Sequence, residues 1–176
     1  MIKIHEKRTP MKIFNLLLKP KISLKDIALI VLDFDGIFTD NKVMVSEEGK
    51  EFVNCTRADG LGIKLLNSKH VPMLILSTET NPVVVSRARK LNLPVIQGAE
   101  NKKQILIQYC EENKINLQNV MYAGNDLNDY EVMKCTGIPV APKDAHPEIK
   151  RIAKYIIPKK GGEGVVRELA ENLIQY

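Results

Sequence analysis

The chain has no tryptophan, and phenylalanine and tyrosine bring aromatics to only 5% of its 176 residues. That argues against a stacking platform for nucleic-acid bases, which needs aromatic side chains interleaved with basic ones. Cysteine is scarce: Cys55, Cys110 and Cys135 are odd in number, far apart and without a CxxC pairing. They read as reduced thiols, not as a disulfide framework or a zinc site. His5, His70 and His146 are equally scattered, so no histidine-based metal cluster is expected. No apolar run approaches the roughly 20 residues that a membrane-spanning helix needs. The N-terminus is charged throughout and lacks a signal peptide's apolar stretch, so cytoplasm is the expected compartment. Repeats and low-complexity tracts are missing too.

What the chain does have is ordinary for a folded protein, 44% hydrophobic and 27% charged residues. That balance argues against global disorder. At this length one domain is expected, since domains cluster at about 100–150 residues. The net charge of +5 is unevenly spread. Residues 1–25 hold seven bases (Lys3, Lys7, Arg8, Lys12, Lys19, Lys21, Lys25) against one acid, Glu6, a net of +6 that leaves −1 for the rest. They read as a basic, solvated N-terminal extension on a nearly neutral domain of residues 26–176. Such an extension is also what would meet a membrane surface, an acidic partner or RNA. Within it, the apolar patch Ile13–Leu18 between Pro10 and Pro20 marks one or two helical turns.

From Ile27 the pattern changes. Ile27–Leu32 is a continuous apolar run, the signature of a strand buried on both faces. Lys42–Ser46 and Lys50–Asn54 flank Glu47-Glu48-Gly49 and predict a hairpin. A helix is predicted over 59–68, a strand over 71–76, a helix over 82–91 and a short strand at Val95-Ile96. A helix over 102–113, a strand over 120–123 and a helix over 129–135 follow. Strands at 138–141 and 155–157 and an amphipathic helix over 164–174 complete the series. This alternation implies a doubly wound α/β fold with a mainly parallel sheet. Ligands of such sheets sit outside the carboxyl ends of the strands. Asp33 and Asp35, Ser77, Asn101-Lys102 and Asn125-Asp126 all fall at or just after those ends.

Asp33 and Asp35 lie two apart and leave a buried strand on the same side. Two such carboxylates in one cleft repel unless a cation lies between them, and a hard, oxygen-ligated ion such as Mg²⁺ fits that need.

Asp33-Phe34-Asp35-Gly36-Ile37-Phe38-Thr39-Asp40 resembles the first motif, DxDGxxTD, of the haloacid dehalogenase (HAD) superfamily. The resemblance implies a Rossmann-like fold and a phosphoryl-transfer site. It makes Asp33 the nucleophile and Asp35 the general acid/base, which also binds Mg²⁺ through its backbone carbonyl. Ser77 matches the second motif, a hydroxyl that hydrogen-bonds the phosphoryl oxygens. Lys102 matches the third, a cation that neutralises developing charge. Gly124-Asn125-Asp126-Leu127-Asn128-Asp129 matches the fourth, where an acid usually follows the glycine and this chain has Asn125. Metal ligation is thus expected from Asp33, Asp35 and either Asn125 or Asp126, and Asp129 is expected to orient Lys102 or a metal-bound water.

The short spacing between these motifs leaves no room for a cap domain. The resemblance narrows to the capless sugar-acid phosphatases, in which the hairpin of one subunit in a tetramer leans over its neighbour's site. Arg57-Ala58-Asp59-Gly60-Leu61-Gly62-Ile63, Asp144-Ala145-His146-Pro147 and Gly161–Glu168 are similar to stretches of that branch. Substrate contacts are expected from Thr39, Arg57, Gly60, Thr78, Glu79, Arg87 and Lys90. Glu79, Arg87 and Lys90 are spaced close to whole helical turns, as if on one face. The eight-carbon (3-deoxy-octulosonate 8-phosphate) enzymes carry Ser-Gly-Arg where this chain has Ser77-Thr78-Glu79. The sequence there is more similar to nonulosonate enzymes and to the phosphatase-like part of their cytidylyltransferases. The expected activity is Mg²⁺-dependent hydrolysis of a nine-carbon sugar acid 9-phosphate, with the eight-carbon 8-phosphate as the alternative. A non-catalytic oligomerisation or regulatory module of a sugar-activation pathway is the other reading. Neither nucleic acid nor a membrane span is expected.

Overall fold

The fold is seen in a computed structural model that describes residues 22–174. The apolar patch Ile13–Leu18 and most of the basic extension lie outside those residues. The described part of the extension already belongs to the body. Ser23 and Asp26 form a capping box around a single 3₁₀ turn, and Ile22 and Leu24 pack on the core.

Six parallel strands form the sheet: β1 Leu29–Leu32, β4 Met73–Leu76, β5 Val95–Ile96, β6 Val120–Ala123, β7 Ile138–Pro142 and β8 Tyr155–Ile157, in the order β5-β4-β1-β6-β7-β8. The chain winds outward from β1 through β4 to β5, then crosses back beside β1 and winds the other way. The switch point is therefore the β1–β6 pair, where a ligand crevice is expected in such sheets. Leu32 pairs with Ala123, and the Asp33 N–H donates to the Ala123 carbonyl at 2.9 Å. Residues 33 and 124 thus leave the sheet side by side.

Alternate strand residues face two cores. Ile30, Leu32, Met121 and Ala123 lie with Ile63, Leu66, Val84, Val166 and Leu169 from helices α1 (Arg57–Ser68), α2 (Val83–Leu91) and α6 (Val165–Leu173). Leu29, Val31, Val120 and Tyr122 lie with Leu106, Cys110, Val132, Met133 and Ile149 from α3 (Lys102–Glu112), α4 (Tyr130–Cys135) and α5 (Pro147–Ile152). Both faces of β1 are covered, which is why its sequence is apolar without alternation.

The hairpin is β2 (Thr39–Val45) with β3 (Glu51–Cys55), a separate antiparallel pair whose register shifts between Thr39 and Val43. β2 starts three residues before the predicted Lys42, because Thr39 already pairs with Cys55. Helix α5, six residues that open on Pro147, has no counterpart in the predicted series. Among the described residues no helix is long and apolar enough to cross a membrane.

Candidate active site

Asp33 stands at the end of β1, only 3% exposed. Its Oδ1 accepts from the Phe34 N–H at 2.7 Å and meets Lys102 Nζ at 2.8 Å. Neither contact uses Oδ2. Lys102, the first residue of α3, also donates to Asp129 Oδ1 at 2.7 Å. Burial alone would lower the lysine's pKa, but the two carboxylates outweigh it and the net shift is upward. Burial pushes the Asp33 carboxyl well up, the Asp129 charge adds to that, and Lys102 pulls it back. Asp129 is held from a third side by the Asn125 N–H, on Oδ2 at 2.9 Å. Lys102 and Asp129 stand 27 residues apart in sequence and are brought together by the α3–α4 packing.

Asp35 is half-buried. Thr39 donates to its Oδ1 at 3.1 Å and in turn accepts from the Gly36 and Asn41 N–H groups, both at 3.2 Å. Thr39 is fully buried, so this hydroxyl orients Asp35 from beneath the cleft. Burial raises the Asp35 pKa, Thr39 lowers it, and the nearby Glu79 charge raises it again. Ser77, 1% exposed, accepts from the Glu79 N–H at 3.1 Å, and that bond does not use its own hydroxyl proton.

A cleft of about 320 Å³ has Asp33, Asp35, Asn125, Asp126 and Asn128 in its lining, whereas Ser77 and Lys102 are buried and do not line it. Asn125 is buried, with its side chain over Gly36: a Cβ there would lie 2.0 Å from Asn125 Nδ2, and Gly36 has φ +74°. The positive φ calls for the glycine, and a Cβ there would also displace the Asn125 amide. Asp126 is exposed, and its Oδ1 accepts from Leu127 N–H at 2.7 Å as the cap of a short 3₁₀ turn. Among the described residues no three His, Cys, Asp or Glu side chains form a metal cluster. The oxygens gathered here are carboxylate, amide and backbone ones, a set that suits a hydrated hard cation and not zinc.

The remaining expected residues are more dispersed. Glu79 lines a neighbouring pocket together with Asp35, Asn41, Glu51 and Asn81. It is not on α2. Its Oε1 accepts from the Thr80 and Asn81 N–H groups at 2.7 and 2.8 Å, in a turn before the helix, whose N-cap is Pro82. The expected single helical face of Glu79, Arg87 and Lys90 is thus corrected, since only Arg87 and Lys90 share the helix. Arg87 Nη2 donates to the Thr56 carbonyl at 2.8 Å, and its Nε is buried without a partner. Lys90 and Arg57 are exposed, Gly60 lies beside Leu91, and the Thr78 hydroxyl accepts from Asn128 Nδ2 at 3.5 Å.

Two buried polar side chains were not expected in their observed roles. The Tyr122 hydroxyl donates to Asp129 Oδ1 at 2.8 Å. Asp59 Oδ1 accepts from the Val166 and Arg167 N–H groups at 2.9 and 3.2 Å, capping α6 from α1. The branch-like stretches prove to brace the site. The His146 N–H donates to the Asn125 carbonyl at 2.8 Å, and a Cβ on Gly161 would lie 2.4 Å from the Gly36 carbonyl oxygen. Only the tyrosine's lone polar group within an apolar strand could have marked it in sequence.

Residues 68–169, more than half the chain, match the model of the haloacid dehalogenase-like hydrolase family. The 3-deoxy-D-manno-octulosonate 8-phosphate phosphatase of Escherichia coli (strain K12) is 32% identical over 151 residues, 85% of this chain and 80% of the relative. A HAD family hydrolase from Streptomyces avermitilis has a similar structure, with TM-score 0.86 and 44% identity over 89% of this chain and 90% of the other. So does the 3-deoxy-D-manno-octulosonate 8-phosphate phosphatase from Moraxella catarrhalis, solved in complex with magnesium ion, phosphate ion and a KDO molecule. There the TM-score is 0.81, with 29% identity over 85% of this chain and 87% of the other. The chain belongs to the haloacid dehalogenase-like hydrolase family, in its capless branch, and is a phosphoric monoester hydrolase.

Proposed function

We propose that the protein hydrolyses the terminal phosphate of a 2-keto-3-deoxy sugar acid, with the phosphoryl group carried transiently on Asp33. The observation that carries this reading is the buried Asp33 whose Oδ1 is held by Lys102 and Phe34 N–H while Oδ2 carries neither contact. Oδ2 attacks phosphorus, and the bond from phosphorus to the ester oxygen breaks. Asp35, its pKa raised by burial, gives its proton to the departing oxygen. It then takes a proton from the water that attacks the phosphorus of the aspartyl-phosphate. Inorganic phosphate leaves and the Asp33 carboxylate is restored. Lys102 and the Ser77 hydroxyl hold the equatorial phosphoryl oxygens.

Two carboxylates share the one ammonium of Lys102, which leaves one negative charge, and Asp35 brings a second once its proton has passed to the departing oxygen. A divalent cation balances that pair. Asp33, the Asp35 backbone carbonyl and Asn125 or Asp126 are the groups that would hold Mg²⁺, with the Asn125 side chain lying over Gly36. When bound, the ion supplies positive charge that offsets the carboxylates and the phosphoryl oxygens. The magnesium in the Moraxella relative is in line with this choice.

For the sugar, Glu79 in the pocket beside Asp35 suits hydroxyl or amine donors and favours a nine-carbon acid, KDN or N-acetylneuraminate 9-phosphate. The names of the Escherichia and Moraxella relatives favour the eight-carbon 8-phosphate as the second reading. Thr78, Arg57, Gly60, Arg87 and Lys90 stay in the proposal as groups around the sugar end, and Thr39 enters it through Asp35. The exposed apolar side chains of the hairpin, Val43, Met44, Val45 and Phe52, support a homotetramer joined through it. Phosphate release from the three sugar acid phosphates, with Mg²⁺ or chelator, tests the reading. Turnover of one ester is expected to fall at least about a thousandfold in Asp33→Asn and to stop with chelator. Release that is indifferent to Asp33 would sink the mechanism, and no release from any ester would sink the substrate class.

A further inference from the structure

We propose that Tyr122 is a positioning residue, whose hydroxyl fixes Asp129 and through it the place where Lys102 meets the phosphoryl group. The inference rests on the reading of Asp33 as nucleophile. Tyr122 is fully buried on β6, on the face that also carries Val120, and it is absent from the lining of the cleft. Nothing in that apolar packing calls for a hydroxyl, since phenylalanine fills the same ring space. The hydroxyl is spent on one contact, 2.8 Å to Asp129 Oδ1. That oxygen is also the one that accepts from Lys102 at 2.7 Å. Asp129 Oδ2 accepts from the Asn125 N–H at 2.9 Å, so one carboxylate is pinned by a strand, a helix start and the loop of the fourth motif.

Lys102 lies almost evenly between Asp129 at 2.7 Å and Asp33 at 2.8 Å. Its ammonium must stay available to a phosphoryl group arriving on Asp33. A second, neutral donor on Asp129 Oδ1 weakens that oxygen's hold on the ammonium and fixes its position. Without the hydroxyl, Asp129 carries one donor fewer and draws Lys102 toward itself. Burial, with the Asp129 and Asp33 charges behind it, pushes the Tyr122 pKa well up, so the hydroxyl remains a donor and takes no part in proton transfer.

The test is Tyr122→Phe, assayed with Mg²⁺ on p-nitrophenyl phosphate and on the three sugar acid phosphates, with Asp33→Asn in parallel. We expect kcat to fall about ten- to a hundredfold, as for the loss of an outer-shell partner, with KM within about twofold. Circular dichroism at the assay temperature reports the folded fraction. A kcat within about twofold of wild type overturns the proposal. So does a fall that the unfolded fraction accounts for, or a loss carried by KM. Activity retained in Asp33→Asn, or a wild type inert to all four esters, overturns the nucleophile reading and this inference together. An inactive Asp33→Asn beside a fully active Tyr122→Phe removes the inference alone.

Discussion

Asp59 shows how one side chain can serve structure at an energetic cost. Its Oδ1 takes two backbone donors, but Oδ2 is buried with no hydrogen-bond partner. Burial pushes its carboxyl up to about 6, with the Arg167 and Val166 N–H groups and the Arg87 charge pulling it down. An unfolded aspartate titrates near 3.9. Between about pH 4 and 6 the folded chain therefore holds a proton that the unfolded chain has released. By that sign the Asp59 contribution to stability is greatest below the unfolded pKa. It declines as pH rises through the window and is level above it. The difference amounts to about 2–3 kcal/mol. Asp59→Asn lacks the charge, so urea unfolding at pH 4 and pH 7 should show wild type losing about that much more than the variant. Equal losses in both would remove Asp59 as the cause.

At the scale of elements, α1 and α6 pack more closely than their sequences suggest. Gly164 at the start of α6 has no side chain to cap it, and Asp59 supplies the cap from α1. Gly62 makes the approach possible, because a Cβ there would lie 2.7 Å from both Arg167 Cα and the Val166 carbonyl oxygen. Helix propensity by itself gives Gly62→Ala a gain of about 1 kcal/mol. The contact reverses that sign, since overpacking costs about 1–3 kcal/mol. Thermal unfolding of Gly62→Ala should show a lower Tm, and a raised Tm would mean that the helices separate freely. Asp59 and Gly62 both belong to the stretch from Arg57 to Ile63, so that stretch acts largely by docking α6. The Gly161-Gly162 turn just before α6 then presses on Gly36 and on the Thr39-Asp40 backbone beneath Asp35.

For the whole molecule, the hairpin is the part that is incomplete by itself. Val43, Met44, Val45 and Phe52 are 52–70% exposed on an isolated two-stranded ribbon. Such a ribbon is marginal in water unless something covers it. Near its turn it is tied to the body by the Asn81 Nδ2–Glu51 Oε2 bond at 3.0 Å. The proposed tetramer joins these ribbons and puts a neighbour's hairpin over the open cleft. Met44→Glu with Phe52→Glu should shift the solution mass, by light scattering, to that of one 19.9 kDa chain. The kcat/KM for the sugar acid phosphate should fall by about tenfold or more while p-nitrophenyl phosphate is spared. An unchanged mass would place the contact elsewhere, and a monomeric wild type would remove the assembly.

Much of this was legible along the chain. Strands buried on both faces must be apolar throughout, so β1, β4 and β6 stand out at Leu29–Leu32, Met73–Leu76 and Val120–Ala123. The strand rule put Asp33 and Asp35 in one cleft, and both do line it, although β1 ends at Leu32 and Asp35 sits in the turn beyond. Such features depend on neighbours in sequence, and local stereochemistry suffices for them. The tertiary structure alone decided the strand order, and with it that Asp33 and Gly124 emerge together at the switch point. It took Glu79 off the helix, because the turn before Pro82 is held by that carboxylate. It also chose the partners of the buried charges, Lys102 with Asp33 and Asp129, Tyr122 with Asp129, and Asp59 with the start of α6. Those pairings span distant stretches of chain. A buried polar group must be satisfied by whatever the packing brings near it, and no local pattern records which group that will be.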